Sequence, residues 1–366
     1  MRINVNNKIT VRQFILLIHG VQMGVGVLTL PRELAEQAGT DGWMVIIISW
    51  FLATMASLII IQIMKKYPNG TILDLLTHYF GKWIGRVATI IFALYFALLA
   101  NVIFIREALF IQAWILPRTE VYVLILLLSI PSYQIARKNI NILGRYSEFV
   151  FFMTLWTIII YLIPLKYAHW LHLFPVLKEG WLPILTTVKT SIFSFLGFEI
   201  AFFLYPFLQK KEKASMGVVI ANTLSLLAFL MVTIGAFIFY SPDEITIYNE
   251  PTIEMLKVLE FKFIERLEIV FFSFYLFVIS TTVLPFMFMT VFCTSQLVGK
   301  QDYSKHLACF LLIEFAVVVL FPPSFDENTH LQQVIEKAGI ILAFAFPLCL
   351  WGYVWVHGLF KRRAIK

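Results

Sequence analysis

Charged residues are scarce in this chain of 366 residues, where Asp, Glu, Lys and Arg together make up only 14%. Hydrophobic residues make up 60%, and the mean hydropathy is +0.83. A globular protein needs more charge than this to cover its surface in water. The composition therefore excludes an ordinary soluble domain and favours a protein that lies mostly in a membrane.

Cysteine is also rare, and Cys293, Cys309 and Cys349 lie in apolar segments without CxxC spacing. They predict neither a disulfide framework nor a metal site. The sequence has no P-loop, nucleophile elbow, HExxH or Rossmann glycine motif, so nothing in it indicates an enzyme or a cofactor. Long polar loops are missing as well, and residues 1–366 are predicted to form a single membrane domain.

What the sequence does have is a series of apolar stretches along its whole length. Each is long enough for a helix, rising about 1.5 Å per residue, to cross a hydrocarbon core of roughly 30 Å. The sequence predicts an all-α polytopic membrane protein with about ten transmembrane helices. The predicted spans are residues 11–34, 41–64, 85–106, 119–136, 145–165, 184–207, 216–240, 267–296, 306–321 and 337–357.

Lysine and arginine are concentrated in alternate connections between these spans. If the N-terminus is cytoplasmic, the inner segments hold most of the 29 Lys and Arg residues, and the positive-inside rule places both termini in the cytoplasm. Anionic lipid headgroups of the bilayer then account for the net charge of +7 without any nucleic acid. The inner basic residues are Arg2, Lys8, Arg12, Lys65, Lys66, Lys82, Arg86, Arg137, Lys138, Arg145, Lys210, Lys211, Lys213, Lys300, Lys305, Lys361, Arg362, Arg363 and Lys366.

The outer connections are acidic, most clearly from Asp243 to Glu268. Between Pro251 and Phe263, apolar residues recur at helical spacing among charged residues. This pattern predicts an amphipathic helix on the outer surface.

Two predicted spans contain glycine near their middle. Gly20, Gly24 and Gly26 lie in the first span, and Gly197 lies two residues before Glu199 in the sixth. Glycine disfavours a helix by about 1 kcal/mol relative to alanine, so unwinding is easy at both places. In lipid, unwound backbone is tolerated only where protein buries it or where it lines a cavity.

Spans 1 and 6 occupy corresponding positions if the chain divides into two sets of five helices, residues 11–165 and 184–357. Because five is an odd number, the second set has inverted topology relative to the first. Paired interruptions in matching spans point to a binding site near the membrane midplane. The alternative interpretation is that the glycines only let neighbouring helices pack closely.

The backbone groups released by two such breaks suit a zwitterion. Unpaired amides near Val25 to Val27 would face an anionic group, because they form the positive end of a helix. Free carbonyls near Ser194 to Leu196 would accept hydrogen bonds from an ammonium. The hypothesis is a site for a small nutrient such as an amino acid, with walls formed by Phe195, Leu196, Val25 and Asn101.

These residues also carry a resemblance to a known family. The segments Met23–Gly26, Leu30–Pro31, Phe195–Glu199 and Pro206–Phe207 resemble the amino acid, polyamine and organocation transporter superfamily. Within it, the chain length and the absence of a soluble domain are most similar to the B subunit of endospore germinant receptors.

The resemblance implies a leucine-transporter-type 5+5 fold in the spore inner membrane, and a nutrient-binding protein that works with an A subunit and a lipoprotein C subunit. It also implies that hydroxyls of span 8 line the pocket with the glycines of span 1 and Leu196. Ser280, Thr281 and Thr282 supply such hydroxyls and are compatible with a sodium site. A transporter for amino acids or related organic ions, and a scaffold without ligand, remain alternative readings.

Three ionisable residues within the spans, Lys189, Glu199 and Glu314, are candidates for a function, because burying them in lipid costs about 2.5 to 3.5 kcal/mol. Glu199 follows the break of span 6, and it either latches spans 1 and 6 together or binds ligand or a proton. Lys189 is predicted to reach the membrane interface, with gating as the alternative. Glu314 is predicted to be protonated or paired, and His19 to be packed by hydrogen bonds.

Overall fold

The computed structural model describes residues 7–259, 262, 266–299 and 302–363, of which the side chains are described up to residue 357. The chain is 84% helical, and the described part contains no β-strand. The α-helices are α1 (Val11–Gln22), α2 (Gly26–Ala38), α3 (Gly42–Lys65), α4 (Ile72–Trp114), α5 (Val121–Ala136), α6 (Ile140–Thr154), α7 (Trp156–Leu162), α8 (Trp181–Ser194), α9 (Ala201–Leu204), α10 (Ala214–Phe239), α11 (Pro251–Glu254), α12 (Leu267–Val298), α13 (Tyr303–Leu320), α14 (Phe325–Ile340) and α15 (Phe346–Arg363).

Seven helical segments within the described residues are long and apolar enough to cross a membrane. An eighth is counted when Trp181–Ser194 and Phe198–Phe207, which are bent by 50° at a short break, are taken as one span. Val121–Ala136 is apolar but shorter. The predicted class, an all-α multi-pass membrane protein, is confirmed. The count of ten spans and the 5+5 repeat stay predictions.

The helix starts follow local capping chemistry. α1 begins at Val11 because the Thr10 hydroxyl accepts from the Gln13 amide at 3.2 Å, and the Gln13 side chain accepts from the Thr10 amide at 3.0 Å. Ser324 and Glu327 form the same reciprocal pair at the start of α14. Each pair satisfies two amides that the first helical turn leaves without an internal partner.

Helices are interrupted at both places where glycine predicted it. α1 ends at Gln22 and α2 begins at Gly26, while α8 ends at Ser194 and a short 3₁₀ turn follows at Phe198–Ile200. Gly197 has φ +115°, a conformation that L side chains rarely adopt. The second interruption therefore depends on glycine for its backbone geometry.

The first interruption lies at the centre of the helix bundle. α1 packs against α6, α10 and α12, and α8 packs against α2 and α3. The most extensive helix pair is α4 with α12, and α12 also packs against α1. Both breaks are thus enclosed by protein, the setting in which non-helical backbone is tolerated at membrane depth.

Three details differ from the predicted elements. α4 is much longer than the predicted span and is kinked at Gly81, where φ is +85°. The last span begins at Phe325 and continues through a π-helical turn, Ile341–Ala345, into α15. The predicted surface helix ends by Leu259, and Ile253 is fully buried in the bundle, as are its neighbours Met255 and Leu256. Phe263 lies outside the described residues.

The two interrupted spans are also joined at the end that the charge pattern assigns to the cytoplasm. The Ile9 amide donates to the Phe207 carbonyl at 2.9 Å, and the Gln209 amide donates to the Ile9 carbonyl at 3.0 Å. Two residues into α1, Arg12 forms an ion pair with Glu148 of α6. These contacts join the start of α1 to α6 and to the end of the sixth predicted span.

Candidate ligand-binding site

The two interruptions touch each other. Gly197 lies directly against the side chain of Val21, the last residue but one of α1, with no room for a Cβ atom. Gly26 lies against Ser194, and a Cβ built on Gly26 would stand 3.0 Å from the Ser194 hydroxyl oxygen. The small size of both glycines allows this close approach, which brings the two interruptions together. The assignment of Gly24–Gly26 and Phe195–Gly197 to one ligand site stays a prediction.

Carbonyls of the α1 interruption are bonded by α12. The Tyr275 hydroxyl lies 2.7 Å from the Gly24 carbonyl and 3.1 Å from the Met23 carbonyl. Thr281 and Thr282 both direct their hydroxyls at the Gly20 carbonyl, at 3.2 and 3.0 Å. Side chains of α12 thus replace part of the helical hydrogen bonding that the break removes.

Ser280, the third hydroxyl residue of this group, points elsewhere. Its oxygen lies 2.7 Å from the Tyr146 hydroxyl of α6, and it donates to the Phe277 carbonyl of its own helix. The structure therefore brings Thr281 and Thr282 to the break and leaves Ser280 on another face of α12. Successive helical residues differ by about 100° in direction, which explains the separation.

Glu199 holds the α8 interruption together. One carboxylate oxygen accepts from the Gly197 amide at 2.7 Å, and the other accepts from the Tyr95 hydroxyl of α4 at 2.8 Å. The side chain is fully buried. The predicted latch between spans 1 and 6 needs a correction in its partner, because these bonds tie the break to α4 and to its own backbone.

The amides at the start of α2 remain open. Within the described part of the chain, the backbone N–H groups of Gly24, Val25 and Gly26 have no hydrogen-bond partner. Val25 and Gly26 are also half-buried, whereas the residues before them in the break are buried. This is the arrangement in which a helix N-terminus can receive an anionic group.

The walls of the site come from α8, α14 and α4. Leu196 is 7% exposed, and Gly339 of α14 is packed against both Leu196 and the Tyr95 hydroxyl. Asn101 lies apart from these residues, because its amide donates to Glu314 of α13. We therefore leave Asn101 out of the site, and the same bond gives Glu314 the polar partner that the sequence predicted.

A polar cluster stands beside α2 and the connection between α10 and α12. Arg106 of α4 is 8% exposed and donates from Nε to the Asn328 side chain at 2.8 Å and from Nη2 to the Thr329 hydroxyl at 2.7 Å. On the same side, the Thr252 hydroxyl donates to the Val27 carbonyl at 3.0 Å. Burial, with a smaller contribution from Glu254, raises the pKa of Glu250 in this outer connection.

The structure also shows the surroundings of His19 and Lys189. His19 is buried, with Nδ1 2.9 Å from the Ser225 hydroxyl and its ring edge-on to Phe151. Lys189 is exposed on α8, as its predicted reach to the interface requires.

Sequence reasoning missed four residues of the site, namely Gln22, Tyr95, Tyr275 and Gly339. Gln22 carried a signal, since it is a polar residue inside an apolar span and directly precedes the glycines. The other three carried none, because tyrosine and glycine are common in membrane helices. They belong to the site only through the packing of α4, α12 and α14 around the breaks.

The family follows from comparison with known sequences. The model of the family described as "Spore germination protein" matches residues 8–329. This chain belongs to the spore germination protein family. It is 27% identical over 337 residues to spore germination protein GerQB of Bacillus cereus, covering 92% of each chain.

Two relatives from Bacillus subtilis (strain 168) support the same assignment. Spore germination protein YndE is 28% identical over 355 residues, covering 94% of this chain and 95% of the relative. Spore germination protein A2 is 31% identical over 272 residues, covering 71% of this chain and 73% of the relative. The matches to the first two extend over nearly the whole chain, so family membership applies to the membrane domain that contains both breaks.

Proposed function

We propose that this chain is the nutrient-binding subunit of a germinant receptor, and that its ligand is an amino acid held between the two helix breaks. The observation that carries the proposal is that the two helix breaks meet inside the bundle, where Gly197 lies against Val21 and Gly26 lies against Ser194. Membership of the spore germination protein family supports the biological setting.

The ligand's charged ends find matching groups in this site. The open amides of Gly24, Val25 and Gly26 suit a carboxylate, and the positive end of α2 favours it further. The Phe195 carbonyl keeps a free lone pair beside the bond it already accepts, and so suits an ammonium. Leu196 would contact the ligand's side chain, with Thr281 and Thr282 supporting the α1 backbone behind it.

The proposed fold has ten spans in two inverted sets of five. Gly26–Lys65 contains 40 residues, or about 60 Å of helix, which is roughly twice the hydrocarbon thickness. Gly39, with φ +58°, divides it, so that α2 joins α1 as the first span and α3 forms the second. With the bent pair and Val121–Ala136 each taken as one span, the number becomes ten.

The proposed partner subunits and membrane location follow from the family resemblance, and the proposed topology follows from the charge pattern. We place it in the spore inner membrane with both termini in the cytoplasm, beside an A subunit and a lipoprotein C subunit. Glu199 has the role of a positioning residue, since both of its carboxylate oxygens are engaged by Gly197 and Tyr95.

An amino acid transporter is the second candidate, because it would use the same pocket. A transporter has to open toward both sides, and in this structure Ile9 is paired with Phe207 and Gln209, and Arg12 with Glu148, at the end that the charge pattern assigns to the cytoplasm. Uptake of a labelled amino acid by proteoliposomes of the purified chain would favour transport. Saturable binding without uptake would favour the receptor.

Leu196→Ala is the sharpest test of the pocket. We expect spores with this variant to need a different concentration of the activating amino acid, or a different amino acid, when the twenty L-amino acids are supplied one at a time. Leu185→Ala is the matched control, because Leu185 is 57% exposed on α8, the helix that ends two residues before Leu196. An unchanged response of the Leu196 variant, at normal protein levels, contradicts the proposed pocket.

A further inference from the structure

Gln22 lies between the two interruptions, and both the nitrogen and the oxygen of its side-chain amide form hydrogen bonds there. Nε2 donates to the Phe195 carbonyl at 2.8 Å and to the Asn222 side-chain oxygen at 2.8 Å. Oε1 accepts from the Ser225 hydroxyl at 2.6 Å. Gln22 itself is 3% exposed. The carbonyl that the break of α8 leaves without a helical partner is therefore bonded by the last residue of α1.

The bonds continue beyond Gln22 into two further helices. The Asn222 amide of α10 donates to the Ser57 hydroxyl of α3 at 3.0 Å, and Ser57 donates to the Ala53 carbonyl at 2.7 Å. Asn222, Ser225 and Ser57 are all fully buried. One buried network thus joins α1, the break of α8, α10 and α3.

The donor and acceptor of each hydrogen bond in the network can be assigned in only one consistent way. The Phe195 carbonyl can only accept, so the Gln22 amide nitrogen must face it, and Asn222 must then present its oxygen to Gln22. Asn222 consequently gives its amide to Ser57. On the other side, Ser225 gives its hydrogen to Gln22 and accepts from His19 Nδ1, which lies 2.9 Å away.

Such a network moves as a unit, because an unpaired amide in an apolar interior costs about 1 to 3 kcal/mol. If the Phe195 carbonyl turns, Gln22 must follow it or lose a bond. If Gln22 turns, Asn222 and Ser57 must rearrange in the same way. Buried polar networks of this kind have few alternative arrangements, so the coupling between members is strong.

We propose that Gln22 is a positioning residue that sets the Phe195 carbonyl and transmits occupancy of the site to α10 and α3. The transmission of ligand occupancy rests on the proposed function, since it is a ligand ammonium that would engage this carbonyl. The orientation of the Phe195 carbonyl by Gln22, which we call the mechanical part, does not depend on any ligand. Asn222 contributes to this orientation through its hydrogen bond with Gln22.

The mechanical part is tested first, by hydrogen–deuterium exchange of the purified chain in detergent without ligand. Ser57→Ala and Asn222→Leu are expected to increase exchange in residues 195–199, because the Gln22 amide loses its fixed orientation. Ser57 and Asn222 bond to Ala53, Gln22 and each other and have no described hydrogen bond to residues 195–199. Thr54→Val and Thr233→Val are the matched controls. Their hydroxyls are buried in α3 and α10 and have no hydrogen bond within the described part of the chain.

Exchange in α13 serves as an internal reference, since Tyr303–Leu320 contains no member of the network. An increase confined to residues 195–199 and α10 supports the proposal, and an equal increase in α13 would mean general destabilisation and overturn it. Unchanged exchange at 195–199 in both variants also overturns it, whether or not an amino acid is the ligand.

The occupancy part is then tested in spores with the twenty L-amino acids as probes. We expect Gln22→Leu and Asn222→Leu each to raise the half-maximal concentration by about tenfold, which corresponds to about 1.4 kcal/mol. The double variant should show little more than one single change, because both remove the same coupling. If the two substitutions change the half-maximal concentration additively, the shared network is contradicted. If wild-type spores respond to none of the twenty amino acids, only the proposed function is contradicted.

Discussion

The Tyr95 hydroxyl donates to a carboxylate oxygen of Glu199 across 2.8 Å, and this bond lets α4 support an interruption in another helix. Glu199 in turn accepts from the Gly197 amide, which no regular helix would leave free. Two residues separated by 104 positions in the chain therefore determine together how α8 ends and how its continuation begins. The bond is fully buried, so neither group has water as a substitute partner.

Tyr95→Phe should weaken this support while keeping the ring's packing. Removing the hydroxyl leaves one oxygen of a buried carboxylate without its donor, which costs about 1 to 3 kcal/mol. We expect a lower midpoint of thermal unfolding in detergent and a weaker nutrient response. Tyr122→Phe is the control, because Tyr122 is 42% exposed on α5. Equal midpoints for Tyr95→Phe and wild type would contradict the role assigned to Tyr95.

Gly197→Ala should prevent the two interruptions from meeting. The new methyl group would overlap the Val21 side chain, and φ +115° is strained for any L residue. The two effects together cost about 2 to 6 kcal/mol, so we expect little folded protein in the membrane. Gly352→Ala is the control, because a Cβ there meets nothing within 4 Å. Membrane-inserted amounts are compared by immunoblot, and similar amounts of both variants would count against the contact.

Arg106→Lys should loosen α14 from α4 even though the charge is kept. A lysine cannot reproduce the forked donation to Asn328 and Thr329, nor the guanidinium's place 5.5 Å from the centre of the Phe325 ring. We expect faster hydrogen–deuterium exchange of the α14 amides and a decrease of about 1 to 3 kcal/mol in the free energy of unfolding. Arg118→Lys, in an exposed connection, should leave α14 as it is. Faster exchange in both variants would exclude a specific role for Arg106.

Glu250 gives the outer connection a dependence on pH. Burial raises the pKa of Glu250, so its protonated form is favoured in the folded state. Its contribution to stability is fully present below the ordinary pKa of about 4.3 and is lost as the pH rises through the raised value. The difference in unfolding midpoint between wild type and Glu250→Gln should therefore grow, in favour of the variant, over a pH range that begins near the ordinary pKa of about 4.3 and extends upward. If the difference in unfolding midpoint stays constant as the pH rises, the raised pKa of Glu250 is contradicted.

Much of the architecture could be predicted from the chain alone. Low charge and recurring apolar stretches determined a multi-pass helical membrane protein, because lipid requires backbone groups to be satisfied within each helix. The glycines at 20–26 and 197 indicated where two helices stop, since the loss of helix propensity is a local property. Leu196 followed from the predicted break in span 6, whereas Thr281 and Thr282 came from the family resemblance and not from any periodicity.

Which side chains meet at the breaks was decided only by the tertiary structure. A helix that is apolar on all sides has no polar face to show its orientation, so the sequence could not tell that Tyr95 faces Glu199 while Asn101 faces Glu314. The bond from Gln22 to the Phe195 carbonyl joins positions 173 residues apart. Local sequence thus determined where the backbone opens. Packing of distant helices decided which of the released groups are bonded within the protein and which remain for a ligand.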